Sequence, residues 1–170
     1  MIEIAGARDW RLDRLMGSPV WFADDAAGRQ AFETLWYDLK GGEPEEPAHL
    51  TVLGRDVVVE RTAGSMARSP FADLCARPLG PQDYLAVARR FHTLFVSNIP
   101  RLGPENRQEA ARFVTLIDAL YEAGTRLVAT SAVEPEALYS AGDGAFEFER
   151  TASRLREMAS ASWLEKATHE

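Results

Sequence analysis

The stretch FADLCARPLGPQDYL, residues 71–85, separates two different halves of the chain. It begins with a short apolar cluster ending at Cys75, after which prolines and Gly80 interrupt any regular element. Pro81 suits the first turn of a helix, where its missing N–H group costs no hydrogen bond. Asp83 follows in that first turn, where the helix dipole favours a carboxylate. The stretch therefore predicts a loop followed by a helix start, and it carries no catalytic motif.

The segment that follows predicts a βαβ unit. The predicted elements are a helix over 81–91, a strand over 93–96, a helix over 104–123 and a strand over 126–130. In the first helix Leu85 and Ala88 lie on one face, flanked by Tyr84 and Phe91. Apolar residues at helical spacing define the second helix, and Gly124 is a natural residue to end it. Two strands joined through a helix in this way are expected to be parallel, with a right-handed crossover.

The first 70 residues predict a helix and a β-hairpin. Apolar residues at i, i+3, i+4 and i+7 predict a helix over 25–40, ended by two glycines. Two β-branched runs, 50–53 and 57–60, flank Gly54-Arg55-Asp56 and predict the hairpin. Residues 64–70 are predicted to form a loop. Short extended pieces are predicted at 2–4 and 19–22.

The last third ends in one predicted helix. A helical turn is expected at 135–139, and residues 146–148 are expected to form a short extended piece. Thr151 is a suitable N-cap for a final helix that runs to about residue 167, because a threonine hydroxyl can accept from a free backbone N–H group. Leu155 and Met158 are expected to face inward.

Composition limits the functional classes. The 170 residues carry a net charge of −7, which argues against a generally basic nucleic-acid footprint and leaves room for a local basic groove. One cysteine permits neither an intrachain disulfide nor a cysteine zinc site. No apolar run is long enough for a membrane span, and no signal-peptide core precedes the first helix. A reducing cytoplasm is the expected compartment.

The sequence contains no phosphate-binding loop. The pattern G-x-x-x-x-G-K-[ST] is required to hold phosphates with backbone N–H groups while a lysine neutralises them. The chain has two lysines, Lys40 and Lys166, and neither follows such a glycine pattern. Residues 113–118, FVTLID, resemble a strand that ends in a magnesium-binding aspartate, but they lie inside a helical pattern and Ala119 follows Asp118. We therefore expect Asp118 on a helix surface.

Other catalytic patterns are weak. The three histidines are scattered, without metal-ligand spacing. Cys75 with His92 has no orienting partner in the sequence, so a buried structural thiol is expected. Polar pairs end the two predicted parallel strands, Ser97-Asn98 and Thr130-Ser131. They lie where α/β sheets collect ligands, although polar residues also end strands for reasons of turn geometry alone.

Taken together, several blocks resemble the C-terminal part of the ZapE-like (AFG-type) AAA+ ATPases. The blocks occur in the family's order and are FADLC, PLGPQDYL, FHTLF, ARFVTLIDALYE, LVATSA and FEFERTASRLREM. Ala111 departs from the resemblance, since a second arginine often stands there. The resemblance implies a P-loop ATPase that uses ATP and Mg²⁺, and bacterial members are associated with cell division and the FtsZ ring.

The resemblance also implies which residues face a nucleotide. AAA+ proteins carry a sensor arginine on a C-terminal helix, and by analogy Arg154 is the first candidate and Arg112 the second. Asn98 and Ser131 are the candidates at the strand ends. The alternative for Arg154 is an intramolecular ion pair with Glu157 or Glu149, since exposed helix arginines usually pair with neighbours. No catalytic residue and no metal ligand is predicted within the chain.

The sequence thus predicts an α/β domain over 1–170, a partial P-loop-like core. Residues 1–70 would form a β-hairpin and helix element, and 71–170 the βαβ unit and a C-terminal helix. The resemblance implies that the ATP-binding half is missing and that the chain is a fragment, unable to hydrolyse ATP alone. Its partners would be that half, a homo-oligomeric AAA+ assembly or FtsZ. The alternative is a non-catalytic module that binds a partner AAA+ ring or a division protein. We expect the isolated chain to self-associate.

Overall fold

The computed structural model describes residues 11–139, 142 and 144–166. The predicted extended piece at 2–4 lies outside the described residues. The helices are residues 11–16 (α1), Ala26–Lys40 (α2), Phe71–Cys75 (α3), Pro81–Arg90 (α4), Arg107–Ala123 (α5), Ala145–Met158 (α6) and Ala161–Lys166 (α7). The strands are Trp21–Ala23 (β1), Glu46–Val52 (β2), Arg55–Ala63 (β3), Met66–Pro70 (β4), Thr93–Ile99 (β5) and Arg126–Ser131 (β6).

The strands form one six-stranded sheet in the order β1-β6-β5-β4-β3-β2. The neighbours β1, β6, β5 and β4 are parallel, while β3 and β2 continue the sheet antiparallel as a hairpin. Helices α3 and α4 connect β4 to β5, and α5 connects β5 to β6. The predicted α/β class and the parallel pairing within the βαβ unit are confirmed. The hairpin is also present, but its turn is formed by Leu53 and Gly54 and not by residues 54–56, because Arg55 and Asp56 already pair with β2.

The core has two halves because the central strands are buried on both faces. Leu94 and Val96 of β5 belong to the apolar cluster formed with α3, α4, α5 and α6. Phe95, which points to the opposite face, belongs to the cluster formed with α1, α2 and α7. The edges of its ring contact Phe32 and Trp36 at centroid distances of 5.2 and 5.1 Å. The alternating pattern of a strand thus fixes a helix–sheet–helix sandwich.

The 71–85 stretch contains a cap that also holds the hairpin. Pro81 begins α4, as predicted, and Asp83 lies in its first turn with a side chain only 2% exposed. One carboxylate oxygen accepts from the Gly80 N–H group at 2.7 Å, and the other accepts from Arg55 at 2.6 Å. Because Arg55 begins β3, this aspartate joins the helix start to the antiparallel part of the sheet.

The buried face of α4 differs from the prediction. Tyr84, Val87 and Ala88 are buried together with Asp83, whereas Leu85 is only partly buried. The apolar pattern alone favours a face through Leu85. The cap and the ion pair of Asp83 turn the adjoining face inward instead, since a charged side chain here is satisfied by Gly80 and Arg55 rather than by water.

The predicted loop at 64–70 is wrong, because residues 66–70 form strand β4. Its polar and small side chains resemble a loop in sequence, but Ala67 is fully buried and Met66 nearly so. Arg68 is stabilised by tertiary contacts: its guanidinium lies over the rings of Phe32 and Trp36 and donates to both carboxylate oxygens of Glu33. Pairing with β3 and β5 on either side supplies the remaining hydrogen bonds.

The predicted start of the last helix is also wrong. Residues 146–148 are helical, and Thr151 lies inside α6 instead of capping it. Thr151 is buried, and its hydroxyl has no hydrogen-bond partner in the described part of the chain. The helix begins early because Phe148 is needed in the core, where it stacks on Phe113 and Tyr139. A break after Met158 separates α6 from α7, so the single predicted helix is two.

We predict that Asp83→Ala lowers the free energy of unfolding by about 2 kcal/mol, because it leaves the Gly80 N–H group and Arg55 without their acceptor. Urea denaturation at neutral pH measures this change. Asp73→Ala, which removes an exposed carboxylate from the first turn of α3, is the matched control and should change stability by less than about 0.5 kcal/mol. Equal losses in the two variants would contradict this account.

A second prediction concerns acid stability. The hydrogen bonds from Arg61, and then from Trp36, lower the pKa of Glu45 from 4.5 to about 2. Its stabilising contribution is therefore complete above pH 4.5 and is lost as the pH falls from 4.5 towards 2. Because solvent screens the ion pair between Glu45 and Arg61, we expect it to contribute about 1 kcal/mol to the free energy of unfolding. The stability difference between the wild type and Glu45→Gln, followed by denaturation between pH 7 and 2, should shrink over that window, and a pH-independent difference would refute the assignment.

Candidate functional site

The carboxyl edge of the parallel strands is where open α/β sheets usually bind their ligands. After β1 the chain enters α2 on one face of the sheet, whereas the helices that follow β4, β5 and β6 lie on the other face. The boundary between β1 and β6 is therefore a topological switch point, where ligands of open α/β sheets usually bind. Helices α2 and α5 begin near this edge because they follow the strands β1 and β5. Helix α4 also begins near it, because its last residue leads directly into the start of β5 at the opposite edge.

Two sequence candidates meet at this edge. Asn98 has a left-handed backbone, with φ of 62°, and its N–H group donates to the Thr130 hydroxyl at 2.8 Å. Ser131 lies beside it in the neighbouring strand and is 1% exposed. The Ser131 hydroxyl accepts from the N–H group of Val133 at 3.3 Å, and its carbonyl accepts from Asp24 at 2.9 Å. Asn98 thus exposes its side chain at the edge, while Ser131 is engaged within the loop.

The switch point is closed to phosphate by the chain itself. Only Asp24 and Asp25 connect β1 to α2, and Asp25 accepts from the N–H group of Gly28 at 2.8 Å. Gly28 packs so tightly that a Cβ there would collide with the carbonyl of Ala23. Arg29 is drawn to Asp24 at 2.7 Å. One backbone donor that could hold an anion at this helix start, the N–H group of Gly28, therefore already serves an internal carboxylate.

The other helix starts at this edge are satisfied in the same way. Asp83 accepts from Gly80 before α4, and the Asn106 side chain accepts from Gly103 at 2.8 Å ahead of α5. In these two caps the accepting side chain lies three residues after the donor, whereas Asp25 lies three residues before its donor Gly28. At each of these three described helix starts, a side chain of the chain itself accepts from a backbone N–H group that an anion could otherwise use.

Arg112 lies on α5 and reaches the end of another helix. Its guanidinium donates to the carbonyl of Cys75 at 3.0 Å, at the last residue of α3. A cation is favoured at a helix C-terminus, where backbone carbonyls lack partners. The contact explains why this arginine is held in place, and it leaves the role in nucleotide sensing a prediction.

Arg154 is engaged by α5 in a cluster of charged and aromatic side chains. It donates to Asp118, and its guanidinium lies 4.7 Å from the ring centroid of Tyr121. Arg150, one turn earlier, approaches the same carboxylate at 3.8 Å. The Tyr121 hydroxyl in turn donates to Glu157 at 3.0 Å, and this bond raises the pKa of Tyr121. An intramolecular ion pair was expected for Arg154, but its partner is Asp118 rather than Glu157 or Glu149.

The four candidates therefore do not converge. Asn98 and Ser131 share the carboxyl edge, whereas Arg112 and the Arg154 partner Asp118 lie six residues apart on α5, which corresponds to about 9 Å along the helix. Asp118 is on the surface of α5, which confirms the helical interpretation of the FVTLID segment. Its pairing with Arg154 spans 36 positions, so no local spacing in the sequence could have indicated it.

The cysteine and histidine hypotheses find no catalytic geometry. Cys75 is fully buried, and burial raises the pKa of its thiol to about 12, so the thiolate is not available at neutral pH. The His92 ring contacts the hydroxyl of Thr93 at 2.9 Å, and His49 pairs with Asp56 at the hairpin. Among the described residues no group of three potential metal ligands is assembled. His169 lies outside the described residues.

A cavity of about 290 Å³ that the sequence did not indicate lies beside α6. Tyr139 and Phe148, whose rings stack at 5.3 Å, form part of its wall. The ion pair between Arg156 and Glu136 also borders it. Its walls come from α6 and from the turn that follows β6. A short loop joins these two segments in the sequence. Nothing in the local pattern of either segment predicts a cavity.

Comparisons with known proteins relate almost the whole chain to one family. The model of the AFG1-like ATPase family matches residues 1–167. The cell division protein ZapE of Escherichia coli is 30% identical over 169 residues, covering 98% of this chain and 44% of that protein. Lactation elevated protein 1 homolog B of Danio rerio is 30% identical over 176 residues, covering 84% and 35%. The chain thus spans less than half the length of these relatives. No solved structure matched it.

No helix in the described portion combines the length and apolar character needed to cross a bilayer.

We predict that Arg154 and Asp118 are energetically coupled. A double-mutant cycle with Arg154→Ala and Asp118→Ala, read by urea denaturation, should give a coupling energy of about 0.5–1.5 kcal/mol, since the pair is only partly exposed and Arg154 also lies on Tyr121. The same cycle for Arg156 and Glu136, a more exposed pair, is the control and should give less. Additive losses at Arg154 and Asp118 would contradict the cluster.

Proposed function

Because the chain belongs to the AFG1-like ATPase family, we propose that it is the C-terminal portion of such an ATPase, one that works with a phosphate-loop portion located elsewhere. In this proposal the phosphate-loop portion binds ATP and Mg²⁺. The present chain provides residues that contact the nucleotide once it is bound. The chain by itself does not hydrolyse ATP.

The closed switch point is the observation that carries this proposal. A phosphate loop needs several glycines between strand and helix so that backbone N–H groups can surround the phosphates. Here two aspartates make that connection, and Asp25 occupies the N–H group of Gly28. Two carboxylates at this point would also repel a phosphate. The residues present therefore do not fit ATP with Mg²⁺ unless another portion supplies the loop.

The candidate sensing residues differ in how much they would have to rearrange in order to contact a nucleotide. Asn98 is exposed at the carboxyl edge and needs no rearrangement to approach a nucleotide. Arg154 has 30% of its side chain exposed and would exchange the carboxylate of Asp118 for a phosphate, a ligand of the same charge type. Arg112 would leave the carbonyl of Cys75, and Ser131 would act by holding the turn in place.

A role in cell division follows from the relative named for it, and FtsZ is the partner that we propose on family grounds. A homo-oligomeric assembly is the second proposed partner. The cytoplasm is the proposed compartment, in keeping with the single cysteine, which is buried. The competing function is a non-catalytic module that joins a partner ring or a division protein. The exposed apolar side chain of Leu53 favours a protein-binding role in either case.

ATP hydrolysis by purified proteins tests the proposal. The 170 residues alone should release phosphate at the background rate, and adding the phosphate-loop portion of the family member from the same organism should produce turnover. In that mixture Arg154→Ala should lower turnover by about 10–100-fold if the arginine meets phosphate charge in the transition state. Arg156→Ala, on the same helix, is the control and should stay within about twofold of the wild type.

Three results would count against different parts of the proposal. Robust hydrolysis by the 170 residues alone would refute the argument from the missing phosphate loop. Unchanged turnover and unchanged nucleotide affinity in Arg154→Ala would remove this residue from the sensing site. A mixture that binds but never hydrolyses would favour the non-catalytic module.

A further inference from the structure

The turn between β2 and β3 breaks the usual rule for its residues. Leu53 and Gly54 form a two-residue turn in which both have left-handed backbones, with φ of 52° and 78°. Such turns strongly prefer asparagine, aspartate or glycine at the first position, because a Cβ-bearing apolar residue is strained there. Leu53 is nonetheless 78% exposed, so no contact in the described part of the chain repays the strain.

The end of the β2–β3 hairpin that carries Leu53, here called the arm, has a rigidly held backbone. Val52 pairs with Arg55 directly across the turn, and the ladder continues through the hairpin. Arg55 is fixed to the buried carboxylate of Asp83, which is itself fixed to the start of α4. His49 and Asp56 add a cross-strand pair at 3.1 Å. The backbone at Leu53 is therefore held in one conformation, which lowers the entropy cost of binding through this residue.

The arm projects past the sheet at its carboxyl edge. Arg61 of β3 lies opposite Arg68 of β4, and continuing this register places residue 59 opposite Pro70, where β4 ends. Residues 55–58 therefore extend beyond β4, by about 13 Å at about 3.3 Å per residue. The turn therefore lies at the carboxyl ends of the parallel strands, like Asn98, but in the antiparallel half of the sheet, with β4, β5 and β6 between it and the switch point.

Other exposed apolar side chains lack this combination. In the described part of the chain the large apolar side chains that are exposed are Tyr37, Leu53 and Phe146. The Tyr37 ring lies under the ammonium group of Lys40, at 5.7 Å. Phe146 is in the first turn of α6, where its backbone is helical and unstrained. Leu53 alone among the three combines exposure with an unfavourable backbone, and such local violations typically occur at functional positions.

We propose that Leu53 is a docking residue, which inserts into an apolar pocket on the phosphate-loop portion of the ATPase. The proposal rests on the proposed function. The curated relatives are more than twice as long as the segment they share with this chain, so in them this fold has a large neighbour to contact. An apolar side chain that protrudes from a turn with a fixed backbone is removed from water when it fills a pocket on a partner, which favours binding. The arm would fix the phosphate-loop portion over the carboxyl edge.

Leu53→Asn separates docking from folding. Asparagine suits the left-handed backbone, so the variant should melt at the same temperature or about 2–4 °C higher than the wild type. Its affinity for the purified phosphate-loop portion of the family member from the same organism, measured by titration calorimetry, should fall at least about tenfold. Leu53→Met keeps an apolar side chain and should bind within about threefold of the wild type. Phe146→Ala is the control for exposed apolar area elsewhere.

Each outcome bears on a different claim. Weaker binding in Leu53→Asn with full thermal stability, and near wild-type binding in Leu53→Met and Phe146→Ala, supports docking through this residue. Binding by Leu53→Asn equal to that of the wild type overturns the docking proposal and leaves the proposed function standing. A lower melting temperature for Leu53→Asn shows that Leu53 supports the fold, which also overturns it. Failure of the wild type itself to bind overturns the proposed function, and the docking proposal with it.

Discussion

Burial of β5 on both faces is the constraint on which the rest of the structure depends. Leu94, Phe95 and Val96 are all fully buried, and they point alternately to opposite faces of the sheet. A strand of this kind needs a layer of helices on each side. Parallel neighbours then require crossover helices, and the connections of such helices gather at the carboxyl edge of the strands. The location of the candidate site is therefore a consequence of how one strand is buried.

The chain uses that edge differently from a nucleotide-binding fold. Carboxylate and amide side chains cap the helix starts that could have received phosphate, as Asp25, Asp83 and Asn106 do. The arginines that could reach a phosphate are held by other groups, Arg154 by Asp118 and Arg112 by a helix end. These contacts satisfy the named groups within the chain, and ion pairs that are partly exposed cost little to exchange. They are compatible with the proposal that these polar groups exchange their partners when another portion of the ATPase binds.

Sequence reasoning succeeded where the signal is local and failed where it is not. The helix over Ala26–Lys40 has an apolar stripe and a terminal glycine, and both signals predicted it from the sequence. Strand β4 has none of these signals, because Arg68 is stabilised there by Glu33 and by two aromatic rings from α2. The early start of α6 likewise depends on the stacking of Phe148 against Phe113. Both errors involve partners more than 30 positions away.

By itself, the sequence determined the α/β class, the hairpin, the parallel βαβ unit and the family, because periodicity, turn residues and short motifs act over a few positions. It also determined that the chain has no phosphate loop of its own. Only the tertiary structure decided that Arg154 pairs with Asp118, that Asp83 joins α4 to the hairpin, and that Leu53 stands exposed in a strained turn. These are contacts, or missing contacts, between segments that the chain brings together only when it folds, since their free energy comes from groups far apart in sequence.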